Sequence, residues 1–183
     1  MSDVAPDAKP VSREPPALPE QLFRRFQELG IDVTTVQHAP VYTVEEAKTV
    51  RGTLEGCHTK NLFLRDKKGS MWLVVCQEDR SVDLGDLARR LGAKRFSFGS
   101  AARLMEYLGV VPGAVTPFAV INDQDGAVRV AIDRAILDRE PLNFHPLDNA
   151  MTTSIGAQAF LRFLDAENHT PHFIDFDLDH PPP

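Results

Sequence analysis

Two hydrophobic periods alternate along the chain. From Leu18 to Leu29 the apolar residues Leu18, Leu22, Phe26 and Leu29 fall at helical spacing, and Gly30 stops the run. Asp32 to Gln37 alternates with the two-residue period of a strand. Thr43-Val-Glu-Glu46 has the form of a capping box and predicts a short helix to about Val50. Strands are predicted near Thr59–Arg65 and Ser70–Gln77, joined by Asp66-Lys-Lys-Gly69, which is hairpin-turn chemistry. Asp83 and Ser100 are placed to cap helices that end at Gly92 and Gly109. Phe118–Ile121 and Ala127–Ile132 read as a second hairpin around Asn122–Gly126. Short strands follow near Leu142–Phe144 and Met151–Thr153. Ser154 is predicted to cap a helix to about Ala166, and His172–Phe176 to form a last strand. Strands outnumber helices and often pair through short turns. The predicted fold is a single α/β domain of the mixed, α+β kind, with a largely antiparallel sheet flanked by helices.

At 183 residues, 43% hydrophobic and 25% charged, the chain fits one soluble core. No stretch approaches the ~18 apolar residues of a membrane helix, and Met1 to Ala17 lacks the apolar centre of an export signal. Its Pro, Ala, Asp and Ser content predicts a disordered tail over residues 1–17. A domain over 18–176 and an acidic, proline-rich end over 177–183 follow. Two cysteines, Cys57 and Cys76, cannot build a disulfide framework, so a cytoplasmic setting is expected. The net charge of −6 argues against gripping DNA or long RNA by charge. However, Asp165, Glu167, Asp175, Asp177 and Asp179 crowd the last 21 residues, which hold no Lys or Arg, and the rest is nearly neutral. Basic clusters remain at Arg65/Lys67/Lys68 and Arg89/Arg90/Lys94/Arg95, suited to holding the end of one strand.

The chain has no Gly-Lys-Ser/Thr phosphate loop, no Gly-x-Ser-x-Gly elbow and no Cys-x-x-Cys pair. His169 and His172 sit close together and read as surface residues rather than metal ligands. Cys57 as a nucleophile needs a base, and its neighbour His58 points to the opposite face of an extended chain. Four segments are left. Lys60-Asn61 ahead of Leu62-Phe63-Leu64 can present a cation and an amide to a ligand, or be a lysine snorkelling from a strand end. Gly109-Val-Val-Pro-Gly113-Ala-Val-Thr-Pro117-Phe118 can point backbone N–H groups inward, or simply connect helix to strand. His145, fixed before Pro146, can bind substrate, move protons or pack. The hydroxyls of Thr152, Thr153 and Ser154 can bond a ligand or cap the next helix.

Taken together and in order, these strings resemble the YbaK/ProX family of trans-acting aminoacyl-tRNA deacylases, close to its alanyl-tRNA(Pro) branch. The resemblance rests on His58-Thr-Lys-Asn-Leu-Phe-Leu64, Val82-Asp-Leu84, Gly109 to Phe118, Ile121-Asn-Asp123 and Asn143-Phe-His-Pro-Leu-Asp-Asn149 with Thr152-Thr153. It spans roughly Leu18 to Phe176. It implies a curved mixed sheet with a pocket on one side, and hydrolysis of the ester joining an amino acid to the terminal adenosine of tRNA. The family lysine falls on Lys60, its amide on Asn61, the Gly-x-x-x-Pro loop on Gly113–Pro117 and the branch histidine on His145. Ala114 stands where a serine is expected and Gly85 where a lysine is expected.

An aminoacyl ester is already activated, so the protein has to place a water and stabilise an oxyanion, without metal or organic cofactor. The expected catalytic set is Lys60, Gly113 and His145. Asn61, Ala114, Val115, Thr116, Pro117, Phe118 and Met71 are expected to contact substrate, with Ile121 as a further wall. Lysine titrates near ~10.4, which favours a charged anchor over a base. A pocket built for proline cannot strongly reject alanine, because each missing carbon is worth only ~1–3 kcal/mol, so a second site that admits only the smaller residue makes sense. Expected partners are the acceptor end of aminoacylated tRNA(Pro) and a prolyl-tRNA synthetase or elongation factor that delivers it, with no membrane and no DNA. The alternatives are cysteine or serine as the removed residue, a non-catalytic module that binds tRNA ends or a synthetase, and a hydrolase of another small ester.

Overall fold

A computed structural model describes residues 16–178 apart from 42, 44, 47, 48 and 50–53. Helix α1 (Pro19–Glu28) starts where Leu18 N–H donates to Gln21 Oε1 at 2.7 Å and Pro19 presets the first turn. Its apolar stripe buries Leu22 and Phe26. Strand β1 (Val33–Gln37) follows, then the long hairpin of β2 (Cys57–Asp66) and β3 (Met71–Gln77). Asp83 and Ser100 accept N–H groups at the starts of α2 (Leu84–Arg90) and α3 (Ala101–Leu108), with the short β4 (Phe96–Phe98) between them. Gly109 closes α3 in the left-handed conformation, φ 64°. Strands β5 (Val128–Asp133), β6 (Leu142–Phe144) and β7 (Met151–Ile155) precede α4 (Ala157–Ala166) and β8 (His172–Ile174).

The strands form one mixed sheet in the order β1-β7-β6-β2-β3-β5-β8, with β4 on β2. The pairs β1–β7, β2–β3, β2–β4 and β6–β7 are antiparallel; β2–β6, β3–β5 and β5–β8 are parallel. Helices cover both faces, so the central strand β3 is buried on both sides and carries no polar alternation until Gln77. Met71, Leu73 and Val75 point into a core with α1, α3 and α4, where Phe118 meets Phe26, Phe144 and Phe163 edge to face at 5.0–5.5 Å. Trp72 and Val74 point the other way, against Leu87, Phe96 and Ile174.

Four expectations need correction. Phe118–Ile121 is a 3-10 turn (Pro117–Asn122), not a strand, because Pro117 fixes its start and Thr116 Oγ1 accepts Phe118 N–H at 3.3 Å. The second hairpin is therefore absent, and β5 joins β3 in parallel. Ser154 lies inside β7 and donates to Asn143 Oδ1 at 2.6 Å; the N-cap of α4 is Gly156, and Glu140 Oε1 receives the Ala157 N–H from across the chain. The last strand stops at Ile174. The helix predicted from Thr43 opens as its capping box requires, with Glu46 N–H on Thr43 Oγ1 and Thr43 N–H on Glu46 Oε2. Part of its further course lies outside the described residues, as do residues 1–15 of the expected N-terminal tail and 179–183 of the C-terminal one.

The fourth correction concerns His169, which is buried at 4% exposure, not on the surface. Among the described residues it carries the most enclosed ion pair. Nε2 lies 2.9 Å from Asp123 Oδ2 and Nδ1 lies 2.6 Å from Glu167 O, so both ring nitrogens face acceptors and the imidazolium is the form that fits. Burial alone would lower the His169 pKa, but the Asp123 carboxylate and the Glu167 carbonyl raise it above its ordinary value. Burial likewise works to raise the Asp123 pKa, and the bonds from His169, Val128 and Ala127 overcome that and lower it. The raised histidine stabilises the fold fully below its unfolded pKa of ~6.5, and that stability is lost as pH rises through the folded value. The melting temperature should therefore fall as pH is raised from 6 through the alkaline side of neutrality. In His169→Gln that particular fall should disappear, which a thermal scan against pH measures.

Candidate active site

The site opens where the sheet splits. β2 and β6 pair only at Cys57↔Leu142 and His58↔Asn143. Beyond that point β2 follows β3 while β6 follows β7. Asn143 pins the fork: its Nδ2 donates to Glu55 O at 2.9 Å, and its own carbonyl accepts Thr59 Oγ1–H at 3.1 Å. The loop from Gly109 to Thr116 enters the gap, held by Asn61 Nδ2 donating to Val115 O at 3.1 Å. The resulting cleft of about 230 Å³ is lined by Lys60, Asn61, Gly113, Val115 and His145, together with His38, Val41, Thr43, His58, Thr59, Glu78, Asn143, Phe144 and Thr152. Pockets for drug-sized ligands run ~300–1,000 Å³, so this space suits a smaller group.

Each wall has a local cause. Lys60 Nζ donates to the carbonyl of Arg80, in the loop after β3, which holds the ammonium at the mouth of the cleft. Gly113 takes φ 90°, a conformation that residues with side chains rarely adopt, and Ala114 N–H closes a turn on Val111 O at 3.0 Å. Among the described residues, neither the Gly113 nor the Val115 N–H donates within the protein. Asn61 Oδ1 is buried with no hydrogen-bond partner. His145 Nδ1 donates to Met151 O at 2.8 Å, which fixes the orientation of the ring. His38 Nε2 lies 2.8 Å from Thr152 Oγ1, and the two imidazoles sit 6.2 Å apart between centroids.

The fold brings together five of the ten residues expected at the site and leaves the other five in the core. Within the loop, Gly113 and Val115 line the cleft, while Ala114 and Thr116 are buried, at 2% and 0% exposure. Pro117 and Phe118 are buried in the 3-10 turn. Met71 pairs with Arg65, five rungs from the Lys60↔Cys76 rung, and is also core. Ile121 packs on the same core and does not line the cleft. Sequence reasoning missed His38, Val41, Thr43, Thr59 and Glu78. The adjacency of Thr59 to Lys60 was a usable signal; the other four come from strand ends and loops that only the fork brings near. Burial raises the Cys57 thiol pKa, and that of Cys76 to about 11, so neither is a ready nucleophile.

Known proteins resemble this chain in fold and in sequence. A crystal structure described as a candidate trans-editing enzyme for prolyl-tRNA synthetase superposes with TM-score 0.65 at 16% identity, covering 87% of this chain and 96% of that one. In sequence, a Danio rerio protein named "Prolyl-tRNA synthetase associated domain-containing protein 1" is 38% identical over 165 residues, 89% of this chain and 90% of its own length. The "Prolyl-tRNA editing protein ProX" of Acetoanaerobium sticklandii is 36% identical over 152 residues, covering 82% and 93%. The "Multifunctional Ser/Thr-tRNA deacylase ProXp-y" of Escherichia coli is 31% identical over 103 residues, covering 55% and 62%. With residues 38–163 matched by the aminoacyl-tRNA editing domain, and the cleft built from that same stretch, the chain belongs to that family.

Proposed function

We propose that this aminoacyl-tRNA deacylase removes a small amino acid, alanine before cysteine or serine, from mischarged tRNA(Pro). The observation that carries the reading is the pair of unengaged N–H groups at Gly113 and Val115, set in one small cleft with Lys60 and Asn61. In the proposed reaction, the Lys60 ammonium binds the terminal adenosine or its phosphate and fixes the ester. Asn61, through Oδ1, and His145 orient the aminoacyl group. Water attacks the carbonyl carbon and the loop N–H groups receive the oxyanion. The ester C–O bond then breaks, and the ribose oxygen leaves with a proton as a free hydroxyl. The neighbouring ribose hydroxyl assists the water. Val41, Val115 and Phe144 give the acyl side chain apolar walls that a proline ring overfills. Release of labelled amino acid from alanyl-, cysteinyl-, seryl- and prolyl-tRNA(Pro) tests this directly. Alanine is expected to leave fastest and proline to be spared; no release from any of the four refutes the reading and favours a binding module.

The tRNA body needs a second foothold, and charge supplies a candidate. Pairing of β2 with β4 and the bond from Lys67 N–H to Lys94 O gather Arg65, Lys67, Lys68, Lys94 and Arg95 at the hairpin tip, about 17 Å along β2 from Lys60. Arg25, Arg80, Arg89, Arg90 and Arg134 all meet carboxylates, whereas none of these five cations does so among the described residues. Asp66, buried between them, spends its Oδ1 on the N–H groups of Lys68 and Ser70. Reversing Arg65 and Arg95 to Glu should weaken tRNA binding and lower the slope of log affinity against log salt by about 2, measured by salt titration. The relatives named for association with prolyl-tRNA synthetase make that enzyme the first delivery partner to test, and work on tRNA in translation is consistent with a cytoplasmic site.

A further inference from the structure

The Lys60 ammonium is held by a backbone carbonyl, and what holds that carbonyl is a strap from the far end of the chain. Arg80 lies in the loop after β3, where its N–H closes a turn on Gln77 O at 3.0 Å and its C=O accepts Lys60 Nζ–H. Its guanidinium reaches away from the cleft. Nε donates to Asp133 Oδ2 at 2.6 Å, and the two terminal nitrogens bond Asp177 Oδ1 and Oδ2 at 3.1 and 3.3 Å. Asp133 is 1% exposed and ends β5, so one side of this fork is rigid. The other side is the segment that follows β8. The Phe176 ring lies 5.0 Å from the Arg80 guanidinium carbon and 5.9 Å from that of Arg90, and Arg90 also bonds Asp175 O at 2.8 Å. Arg134 donates to Asp175 Oδ1 at 3.0 Å.

We infer that the Phe176–Asp177 strap and Arg80 are positioning residues for the editing reaction: they lock the loop whose carbonyl aims the Lys60 ammonium into the cleft. This rests on the anchoring role given to Lys60 above. A lysine has a long flexible stem and a compact charge with three donors. One donor spent on a fixed carbonyl leaves two directed at substrate oxygens; a loose loop lets the ammonium swing into water, and the favourable orientation must be regained at each binding event. The bidentate fork on Asp177, backed by a buried Asp133, suits this task because it fixes direction as well as distance. Phe176 ends the stretch that carries the resemblance, and Asp177 opens the acidic end beyond it.

Two variants release the lock by independent routes. Phe176→Ala/Asp177→Asn loosens the strap, and Arg80→Met/Asp133→Asn removes the fork without leaving a buried carboxylate unpaired. Binding of an uncharged RNA hairpin carrying the acceptor stem and CCA end is measured by fluorescence anisotropy, each variant alone and in the Lys60→Ala background, with melting curves alongside. Each is expected to weaken binding about five- to tenfold, to raise KM for alanyl-tRNA(Pro) while kcat stays near wild type, and to add nothing once Lys60 is gone. Wild-type binding in both variants overturns the inference, and so do losses that add fully to that of Lys60→Ala, because the effect then does not pass through the ammonium. If Lys60→Ala itself binds the hairpin as wild type does, the anchoring role falls and the positioning role falls with it.

Discussion

Lys60→Ala is expected to reduce deacylation of alanyl-tRNA(Pro) by two to three orders of magnitude while leaving the melting temperature nearly unchanged. Charge-assisted bonds are about twice as strong as neutral ones, and this one is proposed to act on both binding and alignment, so a loss of about 10²–10³ is the proper scale. The fold tolerates the change because Lys60 is only half-buried and its partner, the Arg80 carbonyl, can turn to water. Lys60→Arg should not restore activity, since a planar fork cannot replace a compact ammonium donating to one carbonyl. A fully active Lys60→Ala protein, measured by release of labelled alanine, would remove the anchor from the mechanism.

Gly113→Val is the second large effect, and it separates backbone from side-chain chemistry. At φ 90° a β-branched residue is strained by about 1–3 kcal/mol, so the loop is expected to shift rather than hold that conformation. The displaced N–H groups then miss the oxyanion, and loss of one such donor is worth about 10²–10³ in kcat. KM should change much less than kcat, because the donors act on charge that develops only during reaction. Because this loop is also tied to Asn61 through Val115 O, the melting temperature should drop by several degrees without loss of the folded state. A variant with wild-type kcat would move the oxyanion contact to another group.

The two results, with the pair of positioning variants, separate three layers of one site. In the proposed mechanism Lys60 supplies the charge and the Gly113 loop the backbone donors, within the space opened by the fork of β2 and β6. His145 and His38 stand at the far wall, anchored on the carbonyl of Met151 and the hydroxyl of Thr152, two successive residues of β7.

Much of this was readable from the chain. Helical spacing over Leu18–Leu29, the Asp83 and Ser100 caps, and the Asp66–Gly69 turn all act within a few residues, so composition determined them. The order of short strings from His58 to Thr153 carried the family, because chemistry and fold are written in the same segments. Lys60, Asn61, Gly113, Val115 and His145 do meet at one cleft. What the chain alone did not determine lies in longer-range competition. Phe118–Ile121 is apolar enough for a strand, but Pro117 and the Thr116 cap tighten it into a turn, and β5 pairs instead with a strand more than fifty residues away. Met71 and Phe118 are as apolar as any pocket wall, and register and alternation send them to the core. His169 looked like a surface residue until tertiary packing set it on Asp123. Local propensity specifies elements and caps, whereas the choice of partner and face is made by burial summed over the whole sheet, which appears only once the chain has closed on itself.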